Sequence, residues 1–306
     1  MSERKGILLI LATALISGVS IYVNSLGVKF GNPYVFAGMK NLFVGLILFS
    51  IVLGFKERHK LKKLVKKDWW QLTLIGLVGG AVPFLLFFKG LTLTIPAKGS
   101  FIHKTLFIYV TFLAIIYLKE KISKSMLIGL GALLVGIVLF LGIQPQALVL
   151  GDLLILIATL MWAGEIIMSK KLLKRISPNI VVWGRMFFGG LFILLFLINT
   201  RQIESIFAYN PQQWMWIGIT SVFLLGYVLT FYNGLKYVRA SVATSILALG
   251  APITGIITLV VQGGIVWAPE KYWGMALIVT GIILVAGIKM MNGFVNRDHL
   301  YDRIDS

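Results

Sequence analysis

Five ionisable side chains sit inside stretches that are otherwise apolar: Lys40, His103, Lys104, Glu165 and Arg185. At the centre of a membrane helix such a residue costs roughly 2.5–3.5 kcal/mol on insertion scales, so each calls for a partner, a wet surface or a function. Glu165 and Arg185 are opposite in charge and suit a hydrogen-bonded ion pair. Lys40, His103 and Lys104 bring only basic nitrogen. They either extend outward to the membrane surface or meet an anion. The chemistry on offer is recognition of a carboxylate, a phosphate or an amine, with proton exchange at Glu165 or His103. Bond breaking is not indicated. The chain has no Cys, and its three His stand far apart at 59, 103 and 299. No phosphate-binding glycine motif, catalytic triad or paired carboxylates appear, so neither an enzyme nor a metal or other cofactor is expected.

The elements that must position these groups are helices in a membrane. Of 306 residues, 58% are hydrophobic and 13% charged, and apolar runs recur along the whole length. About 20 apolar residues are needed to span the hydrocarbon as a helix, and the runs lack the alternation of a barrel strand. Charged and Pro/Gly breaks divide the chain into ten helices near 7–27, 35–55, 70–88, 97–118, 125–143, 151–169, 179–198, 214–235, 240–262 and 272–290. The charged start and first apolar run read as a first transmembrane helix rather than a cleaved signal peptide.

The net charge of +18 is distributed as a topology signal. Of the 29 Lys and Arg, 21 fall on the side that holds the N-terminus and five on the other. That asymmetry places both termini in the cytoplasm of a multi-pass protein of the cell membrane. It also argues against nucleic acid as a partner.

The two halves repeat at an offset of about 145 residues. NPYVFAGMKNLFVGL (32–46) aligns with SPNIVVWGRMFFGGL (177–191), which pairs Lys40 with Arg185 and Gly45 with Gly190. GLTLTIPAKGS (90–100) aligns with GLKYVRASVAT (234–244), and GLGALLVGIVL (129–139) with GMALIVTGIIL (274–284). Residues 1–145 thus form a first five-helix repeat, 146–290 a second, and 291–306 a cytoplasmic tail. Five is odd, so the second copy is inverted in the membrane, as in many secondary transporters.

With ATLMWAG (158–164), Arg185, YLKEKIS (117–123) and FYNGLKYVRASVATSILALGAP, the whole pattern resembles the drug/metabolite transporter superfamily in its EamA-type branch. The resemblance implies an all-α polytopic membrane protein around a central cavity lined by helices 1, 3, 4, 6, 8 and 9. It also implies a small-molecule substrate, with export of amino acids or other metabolites in most members. Some relatives exchange sugar phosphates or nucleotide sugars.

Counting from the hairpin turns places Glu165 and Arg185 at similar depth in the cytoplasmic half. The same count puts Lys40, His103 and Lys104 in the outer half. Lys104 shares a helix face with Ser100, Phe107 and Thr111, matched in helix 9 by Thr244, Ala248, Ala251 and Gly255, and that face is expected to line the path. Lys40 is expected to extend outward and His103 to pack. Trp162, one turn before Glu165, suits stacking on a substrate, and Tyr227, Asn233 and Gln262 supply further polar groups. The expectation is a secondary exporter of small organic metabolites such as amino acids, with possible proton coupling. An obligate antiporter of anionic metabolites and a non-transporting scaffold stand as alternatives.

Overall fold

Proline and glycine set the helix ends. In the computed structural model, four of the ten long helices begin on a proline, which is at home in the first turn because its missing N–H has no acceptor there. The structure describes residues 3–27, 30–54, 57–143, 147–261 and 268–287. Ten helices among them are long and apolar enough to cross a membrane. They are α1 (Glu3–Asn24), α2 (Pro33–Gly54), α3 (Lys66–Leu91), α4 (Lys98–Leu118) and α5 (Lys124–Leu141) in the first half. The second half has α6 (Leu150–Leu172), α7 (Pro178–Asn199), α8 (Pro211–Tyr237), α9 (Ala240–Val261) and α10 (Pro269–Ala286). The described residues contain no strand. The 291–306 tail and Gln262 lie outside the described residues.

Packing follows the internal repeat. α1 lies against α8 and α9, α6 against α3 and α4, α2 against α7, and α5 against α10. Small residues make these seams, because without a hydrophobic drive between helices in lipid, association rests on close van der Waals contact. A Cβ added at Gly129 would sit 2.7 Å from the Gly281 carbonyl oxygen, and one at Gly136 would sit 2.8 Å from that of Gly274. Gly129 and Gly136 correspond to Gly274 and Gly281, so the contacts exchange under the repeat and run antiparallel. The same exchange pairs Gly6 with Gly234 and Gly151 with Gly90. Gly45 meets Phe187, and Gly190 meets Leu42, its counterpart. The fold is therefore two inverted five-helix repeats that clasp each other along their outer helices.

Two helices are broken at matching places. α4 stops at Lys104 and restarts at Leu106, with the Thr105 hydroxyl donating to the Ile102 carbonyl at 2.6 Å. α9 narrows to a 3-10 turn over Leu247–Leu249. Pro252 explains the second break, since it cannot donate to the carbonyl four residues back, that of Ala248. Ala248 is the counterpart of Lys104.

Candidate functional site

Where the repeats meet, α3 carries the sequence GLVGGA as a π-helical turn over Gly76–Ala81. A π turn shifts the hydrogen-bond register by one residue, and Val82 N–H accordingly reaches back to the Leu77 carbonyl. Pro83 then deprives Gly79 of its usual donor. The exposed carbonyls are taken up from neighbouring helices, as buried backbone groups in a membrane protein must be. Arg185 Nη2 and Trp162 Nε1 both donate to Gly79 O, at 2.9 and 3.0 Å, and Asn41 Nδ2 donates to Gly80 O at 2.7 Å. No side chain would fit: a Cβ at Gly79 would meet Glu165 Cγ at 2.3 Å, and one at Gly80 the Arg185 carbonyl oxygen at 2.3 Å.

Glu165 is buried beside this turn. Its Oε1 accepts from Ser169 Oγ at 2.5 Å and from Tyr232 Oη at 2.6 Å. Its Oε2 lies 3.8 Å from Arg185 Nε, so the expected pair forms as a loose contact whose guanidinium is anchored instead on Gly79. Arg185 Cζ also sits 5.8 Å from the Phe84 ring centroid. Arg185 does not extend to the surface; it is buried. Tyr232 and Ser169 were not legible as site residues, because a Tyr and a Ser in a membrane helix ordinarily serve interhelical packing. Gly79 could have been found from Pro83, four residues on within one apolar run.

The α1 half of the repeat carries a matching knot. Ser20 and Asn24 are the counterparts of Glu165 and Ser169, and Lys40 that of Arg185. Asn24 Nδ2 donates to Ser20 Oγ at 2.8 Å, and Lys40 Nζ donates to Asn24 Oδ1 at 2.5 Å. Lys40 Nζ also lies 4.8 Å from the Phe36 ring centroid. The outward extension expected of Lys40 is not what the structure shows: the residue is 7% exposed and held by an amide. The sequence count missed this because Asn24, which carries no charge, is its partner.

His103 and Lys104 diverge from the end of the first α4 segment. The His103 ring packs edge-on against Trp162 and Phe87, at centroid distances of 4.9 and 5.2 Å, and its buried Nδ1 has no partner. Lys104 Nζ reaches the open side of Gly250, near the midpoint of α9. A Cβ built on Gly250 would lie 3.2 Å from that nitrogen and 3.3 Å from Ser17 Oγ. Lys104 is thus deeper than the residue count placed it, level with the middle of α9 rather than in the outer half. No ion pair joins Lys104 or Lys40 to a carboxylate among the described residues. The face expected on α4 is interrupted at Thr105. Beyond it Phe107 and Thr111 are buried in packing, as are Thr244, Ala248 and Ala251 on α9.

The remaining candidates divide. Tyr227 stacks on Phe231 at 5.8 Å. Asn233 Nδ2 donates to Leu229 O of its own helix at 2.9 Å, and is not brought to the site. Gln262 cannot be placed among the described residues. At the face that holds the N-terminus, Glu120 of YLKEKIS caps α9: its carboxylate accepts from Ala240 N at 2.7 Å and also from Ser241 Oγ. Lys170 closes the preceding helix end, donating to the carbonyls of Leu235 and Val238 at 2.5 and 2.6 Å. At the opposite face Asp152 holds Lys98 at 2.6 Å and Thr94 at 2.6 Å.

Ten membrane helices in two inverted repeats, with ionisable groups gathered where the repeats meet, define a membrane transporter rather than an enzyme. The EamA-like transporter family model matches twice, over residues 4–142 and 149–287. The chain belongs to that family. It is similar to the riboflavin transporter ImpX of Fusobacterium nucleatum, 26% identical over 79% of this chain and 84% of that protein. It is also similar to the uncharacterized transporters YyaM and YetK of Bacillus subtilis. YyaM is 25% identical over 78% of this chain and 79% of its own length; YetK is 27% identical over 93% and 88%. A solved crystal structure superposes with a TM-score of 0.74 over 95% of this chain and 99% of its own, at 18% identity, and shares the fold.

Proposed function

We propose that this protein is a secondary active exporter of a small organic solute that bears an anionic group, working by alternating access with both termini in the cytoplasm. One observation carries the reading: Lys104 Nζ stands at mid-membrane depth between α1, α4 and α9 with no acidic partner among the described residues. A cation held at mid-membrane depth without a counter-charge is costly, and a solute carboxylate or phosphate would relieve it. Glu165 suits a coupling group better than an amine site. Its oxygens are already engaged by Ser169, Tyr232 and Arg185, so the anion is favoured over the zwitterion. Exposure supports a state open to the face opposite the N-terminus: Ser17, Ser20 and Asn24 on α1 are half-buried, whereas Trp162, Glu165 and Ser169, their counterparts on α6, are buried.

A second reading, a planar ring-bearing solute, is favoured by the aromatic wall of Phe84, Phe87, His103 and Trp162. The relative named for riboflavin fits it. Counterflow in proteoliposomes loaded separately with pooled anionic metabolites, pooled amino acids or riboflavin tests both. Anion counterflow lost in Lys104→Ala supports the first reading. Riboflavin counterflow retained in Lys104→Ala supports the second. Amino-acid counterflow lost in both Lys104→Ala and Glu165→Gln would restore the zwitterion.

A further inference from the structure

The two polar knots are alike in position but not in charge. The α6–α7 knot contains its own carboxylate, Glu165, against Arg185. The α1–α2 knot has only amide and hydroxyl oxygens against Lys40, so its charge is uncompensated by any acid within 4 Å among the described residues. Lysine has three N–H donors. One is spent on Asn24 Oδ1.

Ser17, Ser20 and Asn24 follow one another at spacings of three and four residues, so they form one stripe along α1. The stripe is half-buried along its length. Lys104 Nζ stands at its inner end beside Ser17, and Lys40 Nζ at its outer end on Asn24. Seven residues of helix separate the two ends, about 10 Å at 1.5 Å per residue. Two cations with a row of hydroxyl and amide groups between them make a surface that attracts anions and repels cations, and low-dielectric walls strengthen that field.

We propose that this stripe is an anion path with two stations: Lys104 holds the carboxylate or phosphate of a small soluble anion at the centre, and Lys40–Asn24 receives it from there on its way to the face opposite the N-terminus. The inference rests on the anionic reading of the solute. Lys40 offers its free N–H donors while Asn24 keeps the side chain aimed along α1. Ser20 steadies Asn24 and borders the passage.

A chain without cysteine allows a test that needs no solute. Ser20→Cys in proteoliposomes is treated with the anionic reagent sulfonatoethyl methanethiosulfonate and with its cationic trimethylammonioethyl analogue. Each rate is normalised to that of a free thiol. The anionic reagent should react at least about tenfold faster, and the preference should fall close to unity in Asn24→Asp and in Lys40→Gln. Asn24→Asp keeps a partner for Lys40, so folding is preserved while the charge is cancelled. Ser17→Cys provides the same reading one station deeper. Equal rates, a preference for the cation, a preference unchanged by both variants, or no reaction at either position would overturn the path. Absence of anion counterflow in the unmodified protein would overturn the solute reading separately, whatever the reagents show.

Discussion

Asn24 of α1 and Ser169 of α6 occupy equivalent places in the two repeats, and each donates to the polar side chain four residues before it, Ser20 at 2.8 Å and Glu165 at 2.5 Å. The inverted duplication has thus kept a hydrogen-bonding geometry while exchanging a hydroxyl for a carboxylate. One knot holds both members of an ion pair; the other holds only the cation.

Glu165→Gln keeps acceptors for Ser169 and Tyr232 but leaves Arg185 without a counter-charge. The expected cost is about 1–3 kcal/mol of stability, seen as a lower unfolding temperature in detergent. Glu165→Gln/Arg185→Gln should recover most of that loss. If Glu165 couples transport, flux should stay low in the double variant although the fold is restored.

Gly79→Ala and Gly80→Ala should both fail to fold or unfold at markedly lower temperature, because each new methyl group meets heavy atoms at 2.3 Å. Gly131→Ala is the control. Nothing lies within 4 Å of its Cβ position, and its unfolding temperature should stay the same or rise.

Trp162→Phe removes the Nε1–H donor to Gly79 and keeps an aromatic ring beside His103 and Phe87. About 1 kcal/mol of stability should be lost, the net worth of one hydrogen bond. An unchanged KM in this variant, set against a raised KM in Trp162→Ala, would assign the ring itself to the solute.

Glu120→Gln weakens the cap on α9, where a carboxylate accepts from the first backbone N–H groups and meets the positive end of the helix. A loss of about 1 kcal/mol is expected. Hydrogen exchange should rise at Ala240 and Ser241 before it rises in α5 or α10.

The proposed cytoplasmic placement of both termini is checked by single cysteines at Arg4 and Arg303. In intact cells, neither should react with a membrane-impermeant maleimide until the membrane is opened. Labelling of either one before opening would reverse the topology.

Much of the fold was readable because hydrophobic length and glycine spacing act locally. Gly45 with Gly190, and Gly129 with Gly274, marked the repeat, and in the structure those same glycines form the seams. Proline brought several helix starts forward, at Pro33, Pro178, Pro211 and Pro269, because it stabilises a first turn that hydropathy does not see. The site was less legible. Charge alone identified Glu165 and Arg185 as partners, but Lys40 is held by an uncharged amide, and the long side chain of Lys104 carries its Nζ further inward than a count of backbone residues places it. Thr105 carries no breaker signal comparable to Pro252. The π turn at Gly76–Ala81 was hidden for a further reason: its carbonyls matter only once Arg185, Trp162 and Asn41 arrive from other helices.

The glycine seams have a consequence for how the protein is made. α2 and α5 of the first repeat find their closest partners in α7 and α10 of the second. When the first five helices have left the ribosome, both seams are still open to lipid, and the last is closed only after the tenth helix inserts. The first repeat must therefore wait in the bilayer as a stable but incomplete set of helices. Two separately translated halves should find each other there, since every seam joins one half to the other rather than a half to itself.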